Sequence, residues 1–210
     1  LRNKTDVYDA MEMMRTNRFV SGQLHGAMLQ TDSEPLFKGD KFRTLCSDMT
    51  VTQRFSPPHT QAKNGIVERF FRTLFETVRA LLFDSKLPQY FWEDAVRHAT
   101  VLYNITPRAG EQQAPISKLY DRFRLPTLYT FGCAAYVNIP TQKQRKLEPR
   151  SRKGIYLGCD LEDSSHRVYV LSTNQVVNTV HVTFGEVEDW SSVFDPDDDE
   201  STSGTPFFND

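Results

Sequence analysis

The strongest constraint on the fold is a change of periodicity near residue 127. Upstream, apolar residues recur at three- and four-residue spacings, the signature of amphipathic helices, whereas downstream they occur in short β-rich runs broken by Gly, Pro, Asn, Asp and Ser. The runs TLYTFGCAAYVNI, GIYLGCD, HRVYVLS and QVVNTVHVTF predict a small, strongly bent sheet or barrel. This gives an α/β chain with four parts: a mixed region over 1–106, a connector over 107–127, a β module over 128–188 and an acidic tail over 189–210. The tail, containing DPDDDESTSGTP, reads as disordered, and nothing from Glu186 onward reads as packing sequence.

Within the first part, Val7, Ala10, Met11 and Met14 predict a helix over 5–14. A strand over 25–31, a helix around 39–48 with Phe42, Leu45 and Cys46 inward, and a strand over 50–55 follow in that order. The polar, turn-rich stretch 56–65 predicts a surface loop. From Gly65 to Phe83 the chain carries its strongest helical pattern, with Asn64 as cap. Val67, Phe70, Phe71, Leu74, Val78, Leu81 and Leu82 form one apolar stripe, and Glu68, Arg72, Glu76 and Arg79 lie on the other side. A further helix follows Pro88, with Phe91, Ala95, Ala99 and Leu102 on one face and a stop near Thr106-Pro107; a short one is expected around 116–123.

Charge is unevenly spread. The chain of 210 residues has a formal charge of −2, yet residues 186–210 hold nine acids and no Lys or Arg, leaving 25 cations against 18 acids over 1–185. A basic body with an acidic end is compatible with a polyanionic partner and equally with a solvated surface. No apolar run approaches the roughly 20 residues that span a bilayer, and the N-terminal sequence lacks the blocks of a signal peptide, so no membrane partner and a nuclear or cytoplasmic location are expected. Cys46, Cys133 and Cys159 are too few and too scattered for a disulfide framework or a cysteine-rich zinc site, and read as buried thiols.

Two carboxylates stand out by context: Asp32 closes a predicted strand, and Glu68 lies in the first turn of the predicted helix. Strand ends and helix starts can bring acids close enough to share divalent cations, which prefer hard oxygen ligands. Taken alone, the same residues also fit a turn and an ion-paired helix surface. Thirty-five residues separate the two.

The stretch TDSEPLFKGDKFRTLCSDMTVTQRFSPPHTQAKNGIVERFFRTL resembles the core of a copia-type (Ty1/copia) retrotransposon integrase, part of a Pol polyprotein. The resembling features are Thr31-Asp32 at a strand end, the Pro-containing loop from Phe55 to Pro58, Gln-x-x-Asn-Gly at Gln61 to Gly65, and Glu68-Arg69 at the family's Asp-35-Glu interval. Asp48 is excluded, because it would leave only 19 residues before Glu68. PQYFWEDAVRHATVLYNITP resembles the family's following helix, and FGCAAYVNIP, KQRKLEPRSRKGIYLGC, YVLSTNQVV and HVTFGE resemble its SH3-like module. The resemblance implies a truncated ribonuclease-H-like core lacking its first strands, then helices, then a small all-β SH3-like barrel.

In activity, the resemblance implies DNA integration by metal-dependent polynucleotidyl transfer. Asp32 and Glu68 would be the catalytic, metal-ligating carboxylates, with Mg²⁺ or Mn²⁺ as the metal of the complete enzyme. The family's first catalytic Asp lies on a strand with no counterpart here, and Asp6 and Asp9, on a predicted helix, do not replace it. The expectation is a fragment of a larger polyprotein or a decayed copy, inactive alone, with an unpaired inner sheet edge. DNA, further copies of the chain and other Pol segments are the implied partners.

For DNA binding the resemblance points to Gln61, Lys63 and Asn64 in the loop and Arg72 and Arg79 along the helix. A second basic stretch is visible directly: Lys143, Arg145, Lys146, Arg150, Arg152 and Lys153 stand against Glu148 alone. Phosphate contacts from it would be independent of base sequence and weaken with salt. A hairpin loop in solvent accounts for the same stretch without DNA. The competing reading of the whole chain is a non-catalytic nucleic-acid-binding or protein-interaction remnant of a transposon polyprotein. Tyr136, Tyr156 and Tyr169 read as barrel core rather than stacking platforms.

Overall fold

The computed structural model describes residues 6–16, 25–31, 33–55, 61–119, 127–139, 149–161 and 164–194, with the backbone alone at 61–64 and 66. Two compact units divide between Phe70 and Phe71, inside one long helix. The change of sequence texture at 127 therefore does not coincide with this division.

In the first unit, helix α1 (Asp6–Thr16) is followed by strand β1 (Met28–Thr31), helix α2 (Pro35–Lys38), helix α3 (Asp40–Asp48) and strand β2 (Thr52–Phe55). The two strands pair in parallel, Met28 opposite Thr52 and Thr31 opposite Phe55, as a strand, helix, strand order permits. Met11, Phe42, Leu45, Cys46, Met49 and Val51 form the core, with Val7, Tyr8, Leu29 and Phe37 packed against it. Phe42 anchors it, with edge-to-face contacts to Tyr8 and Phe37 at 6.2 and 5.1 Å between ring centroids. Met14, expected on the inner stripe of α1, is exposed, while Met11 alone of that helix is buried.

Helix α4 (Gln61–Ser85) starts four residues before the expected point. Gln61 to Gly65 are helical rather than loop, and Asn64 is an interior position rather than the cap. Gln, Ala and Lys at 61–63 are good helix formers, which offsets the roughly 1 kcal/mol cost of Gly65. The apolar stripe is buried only in its second half: Leu74 and Val78 are inside, but Val67 and Phe71 are 54% and 48% exposed.

In the second unit, α4 ends on Ser85, a single 3₁₀ turn (Gln89–Phe91) leads into α5 (Trp92–Ile105), and α6 (Pro115–Leu119) follows. Helix α5 stops where Thr106 turns extended, the conformation a following proline favours. Five strands then form an antiparallel sheet: β3 (Cys133–Asn138), β4 (Ser151–Cys159), β5 (His166–Val170), β6 (Gln175–Thr179) and β7 (Val182–Val187), in spatial order β6-β5-β4-β3-β7. Strand β4 is central and its residues from Gly154 to Cys159 are all buried. Tyr156 is fully buried between Cys133, Ala135 and Val168, and its neighbours include the rings of His166 and Phe184. Helix α5 packs on β4 with Ala95, His98 and Ala99 buried. The register of β4 against β5 slips between Tyr156 and Gly158, and Gly158, at φ +130°, lets the His98 ring lie against the bulge. Arg167 of β5 reaches Asp94 in the first turn of α5 at 2.7 Å, both largely shielded from solvent.

The sheet is closed by residues beyond its last strand. Trp190 is 1% exposed, and its indole Nε1–H donates to the Gly132 carbonyl at 2.6 Å. Phe194 meets Tyr90 and Phe91 edge to face and tilts against Tyr169. The expectation that nothing from Glu186 onward packs is therefore corrected for 186–194; the rest of the acidic tail, 195–210, lies outside the described residues. Burial of an indole, with a half-buried phenyl ring packed against aromatic neighbours, is worth several kcal/mol and overrides the polar composition around them.

Gly132, at φ +82°, abuts the end of α4, where an added Cβ would stand 2.4 Å from the Ser85 Cβ. Gly132→Ala is expected to cost roughly 2–4 kcal/mol, from overpacking and a left-handed backbone together, read as a lower urea midpoint at unchanged m-value. His98 gives a pH signature. Burial lowers its pKa from 6.5 to about 4, so the unfolded chain binds the proton more readily. The stability contributed by the neutral ring is complete above pH 6.5 and is lost as pH falls toward 4. Between pH 7 and 4.5 this amounts to about 2–3 kcal/mol, and urea titrations should find that loss sharply reduced in His98→Leu.

Candidate nucleic-acid interface

Because β1 and β2 run parallel, their C-terminal ends, at Thr31 and Phe55, lie side by side. In open α/β sheets this is the end where loops converge on ligands. The Thr31 hydroxyl is buried and accepts a hydrogen bond from Gln53 Nε2 at 3.1 Å; the same amide donates to the Phe37 carbonyl at 2.8 Å. Gln53 thus ties the end of β1 to β2 and α2. Asp32 comes next in sequence but lies outside the described residues.

On α4, Glu68 is exposed and sits seven residues from the helix start, about 10 Å along the axis at 1.5 Å per residue. It is therefore two turns into the helix, not one. Arg72, Glu76 and Arg79 are exposed along the same helix, as the charge spacing predicted, and Arg69 is exposed as well. Arg79 also donates from Nε to the Phe75 carbonyl at 3.4 Å. Gln61, Lys63 and Asn64 are placed in the first turn and a half of α4, their side chains being outside the description.

Of the second basic stretch, Lys143, Arg145 and Lys146 lie outside the described residues, whereas Arg150, Arg152 and Lys153 mark the entry to β4. Arg150 and Arg152 are exposed. Lys153 is not a bare cation: its Nζ donates to Glu188 at 2.6 Å and lies 5.4 Å above the Trp190 ring. The hydrogen bond to Glu188 raises its pKa. Glu148 is thus not the only acid set against the stretch.

A neighbouring pair went unread in the sequence. Lys86 donates to Asp189 at 2.7 Å, and Asp189 accepts from both the backbone N–H and the hydroxyl of Ser191. The Lys86 hydrogen bond, then those from Ser191, hold the Asp189 carboxyl far below the usual carboxylate range. The legible signal was Trp190 itself, a large ring inside an acidic, otherwise unpackable stretch.

As metal ligands the described residues offer little. No three His, Cys, Asp or Glu side chains among them gather around a common point. Cys46, Cys133 and Cys159 are free and buried, as expected, and burial raises the pKa of all three, that of Cys133 to about 11. They are core thiols, not thiolate ligands. No described helix is long and apolar enough to cross a membrane.

Residues 133–198 match the family model described as the retroviral polymerase SH3-like domain, which takes in β3 to β7 and the segment bearing Trp190 and Phe194. Over 143 residues, 65% of the chain, the sequence is 35% identical to the retrovirus-related Pol polyprotein from transposon RE1 of Arabidopsis thaliana. It is 29% identical over 194 residues, 89% of the chain, to that from transposon RE2 of the same plant. It is also 28% identical over 162 residues, 76% of the chain, to that from transposon TNT 1-94 of Nicotiana tabacum. The matches span 9%, 13% and 12% of those three proteins, respectively. Among solved structures, a cryoEM structure of the simian T-cell lymphotropic virus intasome in complex with PP2A regulatory subunit B56 gamma aligns with a TM-score of 0.46 and 14% identity, over 86% of this chain and 64% of that one.

The buried thiols are checked chemically. At pH 7.5 the native chain should release almost no chromophore from an aromatic disulfide reagent, and three equivalents should appear once denaturant is added.

Proposed function

We propose that this copia-type retrotransposon Pol polyprotein chain serves DNA integration, as the catalytic-core and SH3-like part of an integrase that binds nucleic acid. The observation that carries the reading is the parallel β1–β2 pair: the strand leading to Asp32 and the strand leading to the Glu68 helix end together. A two-carboxylate site needs that arrangement, and a ribonuclease-H-like core supplies it. The SH3-like match over 133–198 supports the second half of the proposal.

The chemistry of the donors suits Mg²⁺ or Mn²⁺, since Asp32 and Glu68 offer hard carboxylate oxygens, but two acids do not complete the family's set of three. Asp6 and Asp9 lie on helix α1 and take no part in a strand-end site. A divalent pair held there would neutralise the phosphodiester and polarise the attacking oxygen. The chain's own contribution is then to present two carboxylates and to hold DNA. In this reading Arg72 and Arg79, with Gln61, Lys63 and Asn64, face the reacting duplex, and Lys143, Arg145, Lys146, Arg150, Arg152 and Lys153 grip phosphates from the β module. Partners are DNA, further copies of the chain or other Pol segments, in the nucleus or cytoplasm.

A non-catalytic nucleic-acid-binding role is the second reading, favoured by the exposed Arg150 and Arg152 at the entry to β4.

Two measurements separate the readings. In a joining assay with a recessed 3′-hydroxyl duplex, plasmid target and Mg²⁺ or Mn²⁺, this chain alone should give no product. Product that disappears in Glu68→Gln and Asp32→Asn would overturn that expectation and establish an active site. In anisotropy titrations with duplex DNA at 100 mM salt, Arg150→Gln/Arg152→Gln should bind roughly 3- to 10-fold more weakly, with a shallower salt dependence. Unchanged binding after neutralising every cation from Lys143 to Lys153 would favour a protein-interaction role for the β module.

A further inference from the structure

The segment after β7 does more than close the sheet. Glu188 and Asp189 are consecutive, and each is committed to a different cation: Lys153 at the entry to β4 and Lys86 just beyond the end of α4. Ordinarily such exposed ion pairs contribute little, because two long side chains must be ordered to make them. Here the acids are ordered already. Asp189 caps a turn through Ser191, the Val193 N–H donates to the Trp190 carbonyl at 2.8 Å, Trp190 is buried, and Phe194 is wedged among Tyr90, Phe91 and Tyr169. A buried indole at one end of a short turn and a half-buried phenyl ring at the other hold the backbone that presents the carboxylates to the lysines. The geometry also resembles phosphate recognition: two anionic groups one residue apart, each opposite an ammonium, with Arg150 and Arg152 exposed nearby in sequence at the start of β4.

We infer that the strap from Glu188 to Phe194 is a built-in competitor for nucleic-acid phosphate, which keeps Lys86 and Lys153 occupied until a polyanion displaces its two carboxylates. The inference rests on the nucleic-acid-binding reading above and deepens it by naming what regulates the surface. Displacement requires only that Glu188 and Asp189 swing off the lysines, since Trp190 and Phe194 hold the strap in place through their own contacts. Binding would then be weak at low DNA density and less salt-dependent than the number of cations suggests, because two of them exchange one anion for another rather than shedding bound salt.

The test uses the full chain and a fluorescein-labelled 30-base-pair duplex of arbitrary sequence, titrated by anisotropy from 50 to 300 mM salt. Glu188→Gln/Asp189→Asn keeps shape and removes both ion pairs; the amide oxygen of Asn can still cap Ser191. A control of equal charge, Asp84→Asn/Glu186→Gln, alters two exposed acids that pair with no cation among the described residues. The strap variant should bind about 10-fold more tightly than the parent at 100 mM salt, with a log–log salt slope steeper by about 1–2, as two extra phosphate contacts require. The control should gain no more than about 3-fold, and Lys86→Met/Lys153→Met should abolish the strap variant's gain. Equal gains in strap variant and control would overturn the inference while leaving DNA binding intact. Absence of binding by the parent and the strap variant alike would sink the nucleic-acid reading itself, and the competitor with it. Urea midpoints for both variants within a few tenths of a molar of the parent would show that folding is not the cause.

Discussion

The second unit depends on one buried hydrogen bond: the Trp190 indole donating to the Gly132 carbonyl. Gly132 is where the chain enters β3, and its open α-carbon is what Ser85 packs against at the end of α4. A single residue far downstream therefore pins the start of the sheet, and that start meets the long helix. The same indole face carries Lys153, so the hydrophobic anchor also positions a cation. A buried N–H left without an acceptor would cost more than the bond contributes net, which makes the acceptor at 132 as necessary as the ring.

What was legible in the sequence followed periodicity. Phe42, Leu45 and Cys46 are inside as their spacing required, α5 stops at Thr106 before Pro107, and the β-rich runs became strands of one antiparallel sheet. His98 is three residues from Ala95 and seven from Phe91, on the same helical face, and could have been placed in the core by counting alone. What was not legible depended on partners remote along the chain. Local composition made Glu186 to Phe194 look like solvent-exposed tail, because the partners of Trp190 and Phe194 lie between 90 and 169. For the same reason Lys153 read as an open phosphate contact until Glu188, thirty-five residues on, was found beside it.

Helix α4 shows the opposite limit. Its stripe is regular in sequence, yet Val67 and Phe71 stay exposed while Leu74 and Val78 are buried. Amphipathic spacing specifies which face is apolar, not which length of that face is buried. The proposed acidic pair has the same character. The resemblance pairs Asp32 with Glu68 across an interval of thirty-five residues, but the helix carrying Glu68 begins at Gln61, so the acid stands a full turn deeper than its distance from Gly65 suggested.

The position of Trp190 has a consequence for biogenesis. During synthesis the five strands emerge before the residue that fastens them, so the sheet stays unlatched on the ribosome until the ring has cleared the exit tunnel. Within a polyprotein, a processing cut just ahead of residue 190 would release a module with its first strand untethered. A cut beyond Phe194 would leave the latch shut, so the placement of one aromatic ring sets where such a chain can be divided without loss of shape.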